Sequence, residues 1–306
     1  MNKIHHIKTI SEIHQMMGLA KPKHPLVSVI TDFGESQEMN LEGIRFSTDL
    51  YSISLKSDVE GTIYYGRNTY DFQEGTLIFL KPNQVAEYEA GSEEVSHART
   101  WSLIFHPDLI RKSDLGRQID KYHFFDYDAR EALHLSDDEK SSIQNIVALI
   151  QKEIESNIDR HSQELIVSNI KLILDYCTRY FDRQFYTRTN LNKDVVTRFE
   201  KVLKDYYDSG QAFESGVPSV SFIGKEMGMS PYYLSDLLKK ETGQNTIEHI
   251  HFYIIDRAKS VLLGTNQSVS EIAYSLGFEY PQHFAKVFKN KTGTTPTEYR
   301  KVKSSQ

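Results

Sequence analysis

The chain has 306 residues, 39% of them apolar and 25% charged, with a formal net charge of −6 at pH 7. That balance suits globular material long enough for two cores and excludes a disordered chain. No run approaches the roughly 18 to 20 consecutive apolar residues of a membrane span, the start lacks the apolar stretch of a secretory leader, and the lone Cys177 excludes an internal disulfide, so a cytoplasmic protein is expected.

Taken in order, residues 26 to 107 read as short strands. LVSVITD, IRFSTDLYSISLKS, TIYYG, TLIFLKP, VAEYEA and TWSLIFH are rich in β-branched and aromatic residues and are separated by glycine and proline. Many short strands punctuated this way predict a barrel or jelly roll. The aromatics Tyr51, Tyr64, Tyr65, Tyr70, Phe79, Tyr88 and Trp101 either line a small-molecule pocket or fill the core of the β domain. The twelve histidines form no ligand cluster: His5 and His6 are adjacent, and His249 and His251 sit two apart on a predicted helix and point apart. No metal and no cofactor is expected.

After Pro107 the period changes. Ile143, Ile146, Val147, Ile150 and Ile154 mark one helical face, started by a capping box of Ser136 and Glu139. A second helix carries Leu165, Ile166, Ile170, Leu172, Ile173 and Leu174, with Cys177 as an inert buried thiol. These apolar faces are either core or a dimer seam. Residues 186 to 193 read as a linker, VVTRFEKVLKDYY as one more helix, and QAFESGVP as a polar joint.

The remainder repeats itself. SVSFIGKEMGM (219–229) aligns with SVSEIAYSLGF (268–278) at a shift of 49, and PYYLSDLLKKETG (231–243) with PQHFAKVFKNKTG (281–293) at a shift of 50. The second copy thus has one extra residue in its turn. Each copy meets the needs of a helix-turn-helix: a small residue where the helices cross (Gly224, Ala273), a turn glycine for positive φ (Gly228, Gly277), and apolar residues that lock the pair. Ser268 with Glu271, Ser230 before Pro231, and Thr295 with Pro296 and Glu298 predict the helix starts. A plain helical bundle would make both copies of this spacing a coincidence. Residues 217 to 306 hold 11 Lys plus Arg against 8 Asp plus Glu, while residues 1 to 216 hold 25 against 34, so a polyanion would meet the C-terminal end.

Across this region the sequence resembles the AraC/XylS family of transcription regulators. The resemblance runs through Arg257, Ala258, Leu262, Leu263, Ile272, Ala273, Gly277, Phe278, Phe284, Phe288, Lys289, Gly293, Pro296, Tyr299 and Arg300. The N-terminal half is similar to the cupin-like sensor domain of the same family, although Val85 and Ala86 stand where metal-binding cupins place histidines. WSLIFHPDLI, FFDYDAREALHLSDDE and EHIHF look like a Bacteroidetes-type subgroup. The expected fold is α+β: a cupin-like β jelly roll (1–130), a helical connector whose apolar faces are either core or a dimer seam (131–190), and an all-α DNA-binding domain (191–306) with helix-turn-helix units at 219–241 and 268–290.

The resemblance implies a long helix, about 246 to 263, that holds two recognition helices for successive major grooves about 34 Å apart. It makes Tyr232, Ser235 and Asp236 of the first helix, and Gln282, His283 and Lys286 of the second, the readers of bases. Gln282 suits adenine and Lys286 guanine. Lys239, Lys240, Lys289 and Lys291 would hold phosphates. Asp236 departs from the basic residue common there, and reads as a partner of Lys240 or an acceptor from cytosine. Tyr280 replaces a good cap and either packs or reaches DNA. The implied partners are promoter or operator DNA, RNA polymerase for an activator, a small-molecule effector and a second copy of the chain, with no membrane. The effector pocket would use Tyr51, Tyr64, Phe79, Tyr88 and Trp101. The alternatives are a β domain that only scaffolds a dimer, and a cupin-type enzyme. No catalytic residue is assigned, and no enzyme is expected.

Overall fold

The computed structural model describes residues 5–31, 45–56, 75–87, 99–128, 131–156, 159–187 and 189–303. The chain divides into two compact units, Met1–Thr187 and Arg188–Gln306.

The first unit starts with β1 (His5–Ile7), α1 (Ile10–Met16), β2 (Val27–Ile30), β3 (Arg45–Thr48), β4 (Tyr51–Lys56), β5 (Thr76–Leu80), β6 (Val85–Glu87) and β7 (Arg99–Phe105). Then come α2 (Pro107–Ile110), α3 (Asp114–Gln118), two 3₁₀ turns (Ile119–Lys121 and His123–Asp126), β8 (Leu133–His134), α4 (Asp137–Glu155) and α5 (Ser162–Thr187). Five strands make an antiparallel sheet in the order β2-β7-β4-β5-β8. The other three are ordered β1-β3-β6, with β1 and β3 parallel.

Side chains alternate across the larger sheet, and its two faces differ. On one, Ile53, Leu55, Leu77, Phe79, Trp101, Leu103 and Phe105 are buried. This face meets the helical part of the unit, where Phe79 lies 4.6 Å from Phe124 and 6.1 Å from Phe181 of α5. On the other face, Ser28, Ser52, Ser54 and Ser102 alternate with Ile30 and Ile104, and Ser54 stands opposite Ser102 in register. Ile30 and Ile104 cluster with Ile7 of β1, Ile10 and Ile13 of α1, and Leu50, with Phe46 of β3 packed alongside. The serine face is therefore turned toward the smaller sheet.

The connector helices are part of this unit's core. Ile143, Ile146, Val147, Ile150 and Ile154 of α4 are buried, as are Ile166, Ile170, Ile173, Leu174 and Cys177 of α5. The Ser136–Glu139 capping box forms as the sequence predicts. Beyond β8, Gln184 of α5 takes the place of a next strand: its Oε1 accepts the His134 N–H at 2.9 Å and its Nε2 donates to the Ala132 carbonyl at 3.2 Å. Buried backbone groups at the sheet edge are thereby satisfied. The outward residues Leu149, Leu165 and Leu172 stay exposed.

The second unit is helical: α6 (Thr189–Asp208), α7 (Gln211–Ser215), α8 (Val220–Met227), α9 (Pro231–Thr242), α10 (Thr246–Gly264), α11 (Val269–Ser275), α12 (Pro281–Thr292) and α13 (Pro296–Lys303). The expected linker at 186–193 is instead helical up to Thr187 and again from Thr189. YTRTNLNK contains no glycine or proline, and threonine or asparagine costs a helix only about 0.5 kcal/mol each. The joint QAFESGVP contains α7, bounded by Gly210 and Gly216 at positive φ.

Candidate nucleic-acid interface

Each helix-turn-helix closes by the same backbone pattern. Gly228 has φ +68°, and the next residue, Met229, donates to the Gly224 carbonyl at 2.8 Å. Gly277 has φ +87°, and Phe278 donates to the Ala273 carbonyl at 3.0 Å. A Cβ on Gly224 would lie 2.7 Å from the Met229 carbonyl oxygen, which explains the small residue there. The repeat keeps one register through Phe278, so the extra residue falls between Phe278 and Pro281.

The helices after these turns hold the expected contact residues. In α9, Leu234, Leu237 and Leu238 are buried, Ser235 and Asp236 are half-buried, and Tyr232 (47%), Lys239 and Lys240 are exposed. In α12, Phe284 and Phe288 are buried while Gln282, His283, Lys286, Lys289 and Lys291 are exposed. Spacings of three and four put Gln282, His283 and Lys286 on one side of the helix. Its twelve residues carry three lysines and no carboxylate, whereas α9 offsets Lys239 and Lys240 with Asp236 and Glu241.

Their N-termini differ too. The Ser230 hydroxyl accepts the Tyr233 N–H at 3.3 Å, but the Tyr280 side chain makes no capping bond. Tyr280 is 53% exposed, and its ring lies edge-on to His283 with centroids 5.5 Å apart. The aromatic tip thus extends the exposed edge of α12, a placement that propensity alone did not reveal.

The rest of the unit holds these helices in place. The Asn245–Glu248 and Ser268–Glu271 boxes start α10 and α11. Thr295 and Glu298 form the same exchange before α13, where the cap bonds keep the Glu298 carboxyl below its usual pKa. From α13, Arg300 donates to the carbonyls of Leu262 at 3.0 Å and Gln267 at 2.6 Å, clamping the joint between α10 and α11. His249 is bonded to Thr242 at 2.7 Å, and burial lowers its pKa; His251 is lowered by burial and then by Lys291.

In the first unit, Tyr51, Phe79 and Trp101 all project from the helix-facing side of the sheet. Tyr51 stacks on Phe105 at 5.1 Å and meets Phe125 at 5.2 Å; Trp101 is 2% exposed. Phe79 and Trp101 are buried and Tyr51 is half-buried, and Phe79 borders a small recess together with Phe124, Tyr127, Glu131 and Phe181. Tyr64, Tyr65, Tyr70 and Tyr88 lie outside the described residues. The polar groups of the sheet are on its other face, where Ser54 bonds Ser102 at 2.5 Å and Ser52 at 3.3 Å. Beside them, His14 Nε2 meets the Ser28 hydroxyl at 2.8 Å, and Nδ1 meets the Ala20 carbonyl at 2.6 Å. A carbonyl only accepts, so Nδ1 carries a proton. Sequence reasoning missed this hydroxyl row because serine alternating with isoleucine reads as an ordinary strand.

Burial pushes the Cys177 thiol up, away from thiolate chemistry. Among the described residues no group of three or more His, Cys, Asp or Glu is placed to hold a metal ion, and no helix is long and apolar enough to cross a membrane.

Known proteins share both parts of the chain. The helix-turn-helix domain family matches residues 223–302, and the AraC-like ligand binding domain family matches residues 49–168, running through α4 into α5. The chain is 25% identical over 254 residues to the HTH-type transcriptional regulator YtdP of Bacillus subtilis, covering 71% of this chain and 32% of that one. It is 39% identical over 95 residues to the transcriptional regulatory protein YesN of Bacillus subtilis, covering 29% and 26%. With the Msm operon regulatory protein of Streptococcus mutans it shares 23% identity over 257 residues, covering 83% and 84%. The chain spans about a third and a quarter of the length of the two Bacillus relatives.

Proposed function

The chain belongs to the AraC/XylS family of transcription regulators, and on that premise we propose that it binds operator DNA through α9 and α12 and answers to a small molecule through its first unit. The observation that carries this reading is the doubled turn-helix unit, in which Tyr232, Lys239 and Lys240 of α9 and the equivalent Gln282, Lys289 and Asn290 of α12 are all exposed. Tyr232, Ser235, Asp236, Gln282, His283 and Lys286 read bases; Lys239, Lys240, Lys289 and Lys291 hold phosphates. The charge difference makes α12 the stronger anchor. The DNA-binding part is residues 191–306, and sensing belongs to residues 1–130 with the connector 131–190.

Further assignments belong to this proposal. The exposed Leu149, Leu165 and Leu172 of α4 and α5 form a seam for a second copy of the chain. The effector meets the serine face of the larger sheet, where hydroxyls that both donate and accept alternate with aliphatic side chains. RNA polymerase is the protein partner if the regulator activates, and the site of action is the cytoplasm. Catalysis has no part in this reading.

Footprinting of the purified protein on fragments of its own genome, with and without a metabolite pool, tests DNA contact and effector control together. Four lysine–phosphate contacts predict an affinity loss of about 10²-fold between about 50 and 200 mM salt. A salt-insensitive interaction would overturn the proposal. Protection that no metabolite alters would favour the dimer-scaffold alternative for the first unit.

A further inference from the structure

Three consecutive residues at the end of α6 reach three separate parts of the second unit. The Tyr206 hydroxyl donates to the Gly216 carbonyl at 2.9 Å, in the loop that leads into α8. The Tyr207 hydroxyl donates to the Leu276 carbonyl at 3.4 Å, at the end of α11. Asp208 pairs with Arg257 of α10 at 2.9 Å, and Arg257 in turn lies 5.7 Å from the centre of the Tyr207 ring. Tyr253 of α10 packs on the same ring at 5.4 Å.

The loop held by Tyr206 touches the second turn directly. The Val217 N–H donates to the Gly277 carbonyl at 3.1 Å. A Cβ on Gly277 would lie 2.5 Å from the Gly216 carbonyl carbon, so the two backbones approach as closely as glycine permits. Gly228, the equivalent residue of the first copy, has nothing within 4 Å of the same position. Positive φ explains both glycines, but Gly277 also meets the loop that leads into the first copy.

We propose that Tyr206 and Tyr207 form a strut that sets the distance and rotational phase between the two recognition helices, which makes them positioning residues for DNA binding. The inference rests on the reading of α9 and α12 as DNA readers. A single helix, α10, joins the two copies and leaves a joint at each end. A second connection between them, from α6 through residues 216–217 to residues 276–277, turns that link into a triangle. Geometry requires this of a reader of two successive grooves, because one inserted base pair rotates the second half-site by about 34°.

The test uses the full chain and duplexes derived from its footprint: both half-sites at native spacing, the same with one base pair inserted or deleted, and each half-site alone. The native protein is expected to lose tenfold or more in affinity, roughly, when spacing changes, as one lost set of base contacts costs. The variant Tyr206→Phe with Tyr207→Phe is expected to bind each half-site as the native protein does, yet to lose most of that spacing discrimination. A variant that keeps the full discrimination overturns the inference and leaves the DNA-binding reading intact. A native protein that binds neither half-site overturns both. If the double variant melts early, Tyr206→Phe alone carries the test, read with faster hydrogen exchange of the Val217 amide.

Discussion

Asp236 and Lys286 occupy the same position in two copies of one unit and carry opposite charge. Asp236 is half-buried in α9, and Lys286 is exposed in α12. On the proposed DNA contact, a carboxylate near phosphate opposes binding and a lysine favours it, so the pair would divide labour between the helices. Lys286→Ala is expected to weaken DNA binding about tenfold and to reduce the salt slope by about one unit. Asp236→Asn is expected to tighten binding to unrelated duplexes a few-fold, roughly, with half-site preference unchanged. Fluorescence anisotropy at two salt concentrations reads both.

Gly228 and Gly277 separate backbone strain from crowding. Gly228→Ala is expected to cost about 1 to 2 kcal/mol, the penalty of a left-handed non-glycine residue. Gly277→Ala adds the displacement of the 216–217 loop and is expected to exceed about 3 kcal/mol. Urea unfolding of the two variants gives the comparison, and equal costs would contradict the close approach.

Arg183 binds Glu139 through two nitrogens, at 2.6 and 3.1 Å, and also donates to the His134 carbonyl at 2.8 Å. Glu139 closes the capping box of α4 as well. Its removal loses the cap and both bonds of the ion pair to a largely covered guanidinium. Glu139→Ala is expected to destabilise the first unit by about 2 to 4 kcal/mol, seen as a lower urea midpoint.

The two histidines of α10 predict how the second unit responds to acid. Burial lowers both; Lys291 lowers His251 further, while Glu248 opposes on both and Glu200 on His249. The unfolded chain takes up these protons near pH 6.5 and the folded chain only below it. The stability they allow is therefore present above about pH 6.5 and is lost as pH falls through the lowered folded values. Melting temperature is expected to drop between about pH 7 and 5.5, and less so in His249→Gln with His251→Gln.

Local chemistry was legible in the sequence: Ser136 with Glu139, Ser268 with Glu271, Ser230 before Pro231 and Thr295 with Glu298 each mark a helix start where the structure has one. The repeat placed the turns and apolar ladders for the same reason, since both depend on neighbours within about four residues. What escaped depends on partners far along the chain. Tyr51, Phe79 and Trp101 read as core more readily than as pocket, but which sheet face they share follows only from pairing with other strands. The role of α6 was invisible because its contacts lie up to 69 residues away, from Tyr207 to Leu276. Residues 186 to 193 read as a linker because polar composition resembles a loop, although nothing in it breaks a helix.

The unequal settings of Gly228 and Gly277 also bear on how the two copies can change over generations. The first turn tolerates asparagine, which visits positive φ at small cost, because open space surrounds it. The second tolerates glycine alone, since any side chain meets the backbone of residues 216 and 217. On the proposed reading of α9 and α12, drift is channelled into the first copy, and new operator preferences are easier to acquire there than in the second.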